Sequence, residues 1–266
     1  MLLCGKRMKI SATIITFNEE SNIKAACESV AWADEIVVVD SESTDATREI
    51  AANCGARVIV NPWPGFGAQK QFAVEHAKHD WIFSLDADER VSDELRHAIE
   101  NVAENPTADG YRVPRRTFYQ NRWIRGGGWY PDKQLRLFDR TKGHWKQRQI
   151  HESVEMDASA RVSELRGDLL HYTSPNAAHH HRMIGERYAP LAAQQMFEEG
   201  RRTSVLGVAT AGPAAFIRSY ISKGGFRDGF AGFTIASFAA HHAFLKYLLL
   251  WEKSHGSKTN IDQTHA

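Results

Sequence analysis

The chain is poor in cysteine: three in 266 residues (Cys4, Cys27 and Cys54), with no CxxC spacing. That excludes a disulfide scaffold and a cysteine-held zinc cluster, and it suits a reducing compartment. No GxGxxG follows the first apolar run, which disfavours a Rossmann dehydrogenase. A nucleotidyltransferase should carry a glycine-rich loop with an arginine at the same place, and Thr16-Phe17-Asn18-Glu19-Glu20 stands there instead. Internal repeats and low-complexity tracts are lacking. The N-terminus lacks the apolar stretch of a signal peptide or of a lipidation signal at Cys4, because Lys6, Arg7 and Lys9 follow only a few apolar residues, and Met8 is an alternative start. A clean run of membrane-spanning length is lacking too. Gly229–Trp251 comes nearest, and His241 and His242 at its middle would be costly in lipid.

What is present can build a large core: 42% of residues are hydrophobic and 24% charged, enough for one or two domains. The net charge of +1 hides an uneven distribution. Residues 111–150 carry eleven Arg and Lys against Asp132 and Asp139, and residues 201–255 carry seven basic against two acidic residues. Such zones attract phosphates or anionic lipid, or are simply solvated charge.

The first hundred residues alternate strand and helix. Lys9–Thr16 is a β-branched run, Glu35–Val39 a second apolar run ending at Asp40, Arg57–Val60 a third, and Trp81–Leu85 a fourth ending at Asp86. Helical spacing fills Asn18–Val30, the stretch from the cap candidates Ser43, Thr44 and Asp45 to Asn53, Ala68–Lys78 and Ser92–Glu104. This order predicts a parallel sheet with right-handed crossovers. Ligands in such sheets bind at the carboxyl ends of the strands, where Asn18, Asp40 and Asp86 fall together. Residues 110–155 mix short strands, aromatics and arginines, 176–200 are helical, and 205–250 are apolar with Gly and Pro breaks.

The sharpest local signal is Ser84-Leu85-Asp86-Ala87-Asp88. In extended backbone, side chains i and i+2 point the same way, so both carboxylates can reach one divalent ion. Mg²⁺ and Mn²⁺ take oxygen ligands, often one or two carboxylates plus substrate phosphates. Asp pairs are also common in turns. Asp40 can accept from a uracil N–H or a ribose hydroxyl, or cap a turn. Lys70, in the helix preceding the metal strand, can reach a phosphate or lie on the surface. His179-His180-His181 reads as surface, because adjacent helical residues face different ways and cannot chelate one ion.

Three motifs in order resemble the family 2 glycosyltransferases of the GT-A fold: Ile14-Ile15-Thr16-Phe17-Asn18-Glu19-Glu20, Val37-Val38-Val39-Asp40-Ser41-Glu42-Ser43-Thr44-Asp45 and Leu85-Asp86-Ala87-Asp88. The resemblance spans about residues 9–175. It implies an α/β, Rossmann-like, mostly parallel sheet flanked by helices. It also implies a UDP-sugar donor whose nucleoside is held by Thr16, Asn18, Glu19 and Asp40, with Asp86 near the diphosphate; Lys70 is a further nucleotide-sugar candidate by its place before the metal strand. Asp86 and Asp88 would hold Mg²⁺ or Mn²⁺, and the transfer would be inverting. Inversion needs a base on the acceptor hydroxyl. The Glu-Asp pair that many members follow with Gln/Arg and Arg-Trp is missing. Gln149-Ile150-His151-Glu152-Ser153-Val154 stands near the expected place, and a related branch carries a similar His-Glu there. Glu152 is therefore the expected base and Asp132 the second candidate, with His151 read as structural.

The expected domains are 1–200 for the catalytic fold and 201–266 for a helical, amphipathic segment that lies on a membrane surface or meets a protein partner. Phe216-Ile217-Arg218-Ser219-Tyr220, Gly225-Phe226-Arg227-Asp228-Gly229 and Lys246-Tyr247 look like the tail of the bacterial lipopolysaccharide inner-core β-1,4-glucosyltransferases. That branch implies UDP-glucose as donor and a phosphorylated, lipid-linked heptose acceptor. The expected setting is cytoplasmic, peripheral on the inner membrane, with no nucleic acid partner and with a homo-oligomer allowed. The alternatives are another cell-envelope glycan acceptor, or a non-catalytic scaffold that binds saccharide through the basic zone.

Overall fold

The computed structural model describes residues 7–146, 152–172 and 177–255, except the side chain of His179. His151, and with it half of the His-Glu motif, lies outside the described residues.

The chain divides into two compact units, residues 1–117 with 131–173 and residues 118–130 with 174–266. The first begins with β1 (Ile10–Thr16), α1 (Ile23–Ser29), β2 (Glu35–Asp40), α2 (Thr47–Asn53), β3 (Arg57–Val60), α3 (Phe66–Glu75) and β4 (Trp81–Asp86). The strands pair in parallel in the order β3-β2-β1-β4, with Ile15 opposite both Val39 and Asp86. β1 is buried along its whole length and β2 along nearly all of it, which is why these strands read as continuous β-branched runs rather than as alternation. Ile10, Ile14, Phe83 and Leu85 join Ile23, Leu95 and Ile99 in the main core. α1 starts later than its apolar spacing predicts, because Asn18 adopts a left-handed backbone (φ 52°) and residues 18–22 are spent on a turn.

β5 (Glu89–Val91), α4 (Asp93–Glu104), β6 (Gly110–Tyr119) and β8 (Asp132–Asp139) follow, with β7 (Arg122–Trp123) between the last two. α4 is capped as its sequence predicts: Ser92 Oγ accepts from Leu95 N–H, and Asp93 and Glu94 sit in its first turn. β9 (Gly143–Trp145), β10 (Val154–Met156), β11 (Val162–Glu164) and β12 (Leu169–Tyr172) complete the unit. Two antiparallel pairings position the site. β8 runs against β4 with Phe83 opposite Leu137, and β12 runs against β5 with Glu89 opposite His171.

The second unit contains β7, α5 (Ala177–Arg182), a π-helical stretch Met183–Tyr188, α6 (Ala189–Glu198), α7 (Val205–Ile217) and α8 (Gly229–His255). The Asp228 carboxylate is buried and accepts from the backbone N–H groups of Arg125 and Gly126, which ties residues 118–130 to the turn before α8. Gly232 is required there, since a Cβ on it would lie 1.8 Å from the Gly225 carbonyl oxygen. Leu250 closes on Ala193 and Met196 of α6. The histidine run departs from its surface reading at His180, whose ring is half-buried and stacks on Phe238 at 4.2 Å. One described helix, Gly225–His255, is long and apolar enough to cross a membrane by length and composition.

Candidate functional site

Asp40 and Asp86 are the last residues of β2 and β4, and Asn18 stands two residues past β1. Parallel pairing in register therefore delivers the three motifs to one sheet edge. The loops after β1 and β2 are laced together. Asn18 N–H donates to Ser43 Oγ (2.8 Å), Asn18 Oδ1 accepts from Thr44 N–H (2.8 Å), and Glu19 N–H donates to Thr47 Oγ1 (2.8 Å). Asp40 is fully buried, and its carboxylate accepts from the Ser43 N–H and hydroxyl. Its visible work is to hold the Ser43 turn. Among the described residues Thr16 Oγ1, buried at the tip of β1, has no hydrogen-bond partner.

The second half of the site is a chain of alternating charge. Glu152 lies 3.5 Å from Lys70 Nζ, and Lys70 Nζ lies 2.9 Å from Asp86 Oδ1. Asp86 meets Arg136 at 3.4 Å, Arg136 meets Glu89 at 2.7 Å, Glu89 meets Arg115 at 3.4 Å, and Arg115 meets Asp132 at 2.7 Å. Both base candidates thus end on the network that contains Asp86. Lys70 is not a surface residue: it is 2% exposed, with its ammonium 4.9 Å from the Trp145 ring centroid. Glu89 is 0% exposed and accepts from the Asp86 N–H at 2.9 Å, which fixes the turn between the two acids. Burial by itself would raise the Asp86 carboxyl, but Lys70, Arg136 and Arg115 outweigh it and hold the group well below the ordinary carboxylate range.

Asp88 is placed differently. Its Oδ2 lies 3.2 Å from His171 Nε2, because the β5–β12 pairing carries that histidine to the rim. Burial pushes the Glu19 carboxyl up, the Asn22 amide opposes this, and the negative charges of Asp88 and Asp45 add to the rise. Among the described residues, Asp88 and Glu19 thus add acidic charge to the rim with only His171 beside Asp88, whereas Asp86 is flanked by Lys70 and Arg136. A divalent cation fits that imbalance, with Asp88 and His171 offering oxygen and nitrogen donors. Among the described residues no three His, Cys, Asp or Glu side chains gather into a full cage. That suits an ion that keeps waters and substrate oxygens in its sphere.

Sequence reasoning missed Glu89, Arg115, Arg136 and His171. Only Glu89 adjoins a motif. The arginines sat in the basic zone of 111–150 and read as an anion-attracting surface. In the structure seven basic residues of that zone (Arg115, Arg116, Lys133, Arg136, Arg140, Lys142 and Lys146) each have a carboxylate within 4.0 Å.

Comparison with known proteins identifies the family. The profile described as Glycosyl transferase family 2 matches residues 11–164. The lipopolysaccharide core biosynthesis glycosyltransferase LpsC of Rhizobium meliloti is 33% identical over 96% of this chain and 97% of that protein. An uncharacterized glycosyltransferase of Rickettsia bellii is 32% identical over 92% of this chain and 87% of its own length. Among solved structures, glucosyl-3-phosphoglycerate synthase of Mycobacterium tuberculosis, in complex with Mn²⁺, UDP and glucosyl-3-phosphoglycerate, is 24% identical over 43% of this chain and 44% of that one, with a TM-score of 0.35. The mixed, half-parallel sheet with its motif-bearing strand ends and long C-terminal helix is that of a GT-A enzyme, and the chain belongs to glycosyltransferase family 2.

Proposed function

We propose that this glycosyltransferase moves a hexose, glucose, from a UDP-sugar to an inner-core heptose of lipopolysaccharide with inversion, assisted by Mg²⁺ or Mn²⁺. The observation that carries the reading is the alternating-charge chain at the strand ends, which sets an acceptor-side carboxylate, Glu152, beside the acids of the Asp86-Ala87-Asp88 motif. The likeness of nearly the whole chain to a lipopolysaccharide core glycosyltransferase supports the acceptor class.

The residues divide the work. Thr16, Asn18 and Glu19 receive the nucleoside, and Asp40 keeps the Ser43 turn in the shape that frames it. Asp88 and His171 would hold the cation, with Asp86 kept as an anion by Lys70 and Arg136. When bound, the cation neutralises charge that grows on the departing diphosphate. Glu152 takes the proton of the acceptor hydroxyl. The freed oxygen pair forms the bond to the anomeric carbon as the carbon–oxygen bond to UDP breaks, so UDP leaves as an anion and the configuration inverts. Asp132 is held by Arg115 at 2.7 Å, tighter than Glu152 is by Lys70 at 3.5 Å, which favours Glu152 as the base. The enzyme works on the cytoplasmic face of the inner membrane, where its lipid-linked acceptor is presented.

The test is UDP release across a panel of UDP-sugars with Mg²⁺, Mn²⁺ or chelator, with and without heptose-terminated core oligosaccharide. Release that needs UDP-glucose, the cation and the core acceptor together is expected. Acceptor-dependent release with another donor, or full activity in chelator, would overturn the corresponding assignment.

A further inference from the structure

The second unit presents an apolar face to water. On α7, Leu206, Pro213, Ile217 and, one turn on, Ile221 are exposed at spacings of seven, four and four residues, so they fall on one side of the helix. Leu206 is 72% exposed. The opposite side of α7 carries the buried Val208 and Gly212, and a Cβ on Gly212 would lie 3.3 Å from the Ala240 carbonyl of α8. The stripe is therefore the side that the helix pair turns away from its own core. Past the turn, Phe226 and Phe230 are also exposed, and Phe230, 75% exposed, stacks on Phe233 with centroids 6.3 Å apart. Contiguous exposed apolar surface of this extent marks an interaction site.

The charges around the face identify what covers it. Between Gly200 and Trp251 Asp228 is the one acidic residue, and it is buried and spent on backbone N–H groups. Arg218, Lys223 and Arg227 are exposed beside the apolar side chains. A second copy docked on this face would bring like charges together, which is unfavourable. An anionic bilayer surface matches both features, accepting the apolar side chains among its acyl chains and the cations among its headgroups. Lying on the bilayer rather than crossing it suits α8, which commits Ala231, Ile235, Ala236 and Leu250 to the interior of its own unit and has His241 and His242 at its middle.

We infer that the stripe from Leu206 to Ile221, with Phe226 and Phe230, is a docking face that inserts shallowly into anionic phospholipid and holds the enzyme at the membrane without its substrates. The inference concerns attachment, not chemistry, and its test needs neither donor nor acceptor. The full chain is floated with vesicles of phosphatidylcholine alone or mixed with phosphatidylglycerol. Binding to the anionic vesicles, weakened by salt, is expected. Replacing Arg218, Lys223 and Arg227 together by Gln should lower the partition coefficient about a hundredfold. Phe226→Ser with Phe230→Ser should abolish flotation with the melting temperature unchanged. Should that pair unfold, Phe230→Trp serves instead: its emission should shift to the blue on anionic vesicles and be quenched by brominated lipid. No flotation, equal binding to both lipids, indifference to the substitutions, or a dimer that dissociates when the two Phe are replaced would each overturn the inference.

Discussion

Replacing Lys70 by Met tests the charge chain where it is most exposed to failure. The substitution keeps most of the aliphatic stem against Trp145 and removes one buried positive charge. At 2.9 Å and an effective dielectric near 20, the attraction between Lys70 and Asp86 is about 6 kcal/mol before desolvation. Burying the ammonium offsets several kcal/mol of that. Loss of one partner from a buried pair typically costs about 3–5 kcal/mol, and the lower end applies here because Asp86 is a quarter exposed and keeps Arg136 at 3.4 Å. The expected destabilisation at pH 7 is therefore about 3 kcal/mol.

The pH dependence has a definite sign. The folded Asp86 carboxyl is held below its ordinary value, so the pairing stabilises fully above the unfolded value near ~4 and is lost as pH falls through the folded value. Urea unfolding of the two proteins between pH 3 and pH 8 should show a constant deficit from pH 8 down to about 5, shrinking below about 4. Lys70→Arg should recover part of the deficit. A variant as stable as the parent at pH 7, or a deficit that persists undiminished into acid, would refute the claim that Lys70 neutralises Asp86.

Two further outcomes separate the roles within the site. Glu152→Gln should lower kcat by about 10²–10⁴ while calorimetric binding of UDP with Mn²⁺ is unchanged, and Asp132→Asn should instead lower stability; a kcat loss confined to Asp132→Asn would move the base there. Asp88→Asn and His171→Ala should each weaken Mn²⁺ binding in the presence of UDP by about tenfold or more, abolishing or nearly abolishing transfer with the fold intact by circular dichroism. Parental Mn²⁺ affinity in either variant would remove that residue from the metal site.

The divide between what the sequence predicts and what it leaves hidden follows the range of the contacts. The strands β1 to β4 are read correctly because a buried parallel strand must be apolar along its length. Asp40, Asp86 and Asn18 come to one edge by topology alone, since the carboxyl ends of neighbouring parallel strands are neighbours. Arg136 and His171 obey no such rule. Arg136 reaches Asp86 across fifty residues of chain through the antiparallel β4–β8 pairing, and His171 reaches Asp88 through a three-residue strand. A pairing register is set by bulges and turns, such as the shift between Tyr111 and Arg112, that carry little signature of their own. The basic zone shows the same limit in charge. Summed along the chain it appears as a surplus, but Arg136 and Arg115 are the counter-ions of Glu89, Asp86 and Asp132, so most of the surplus is internal neutralisation. Among the described residues, the acidic side chains at the rim are Asp88, with His171 beside it, and Glu19, and it is there that the proposed cation would bind.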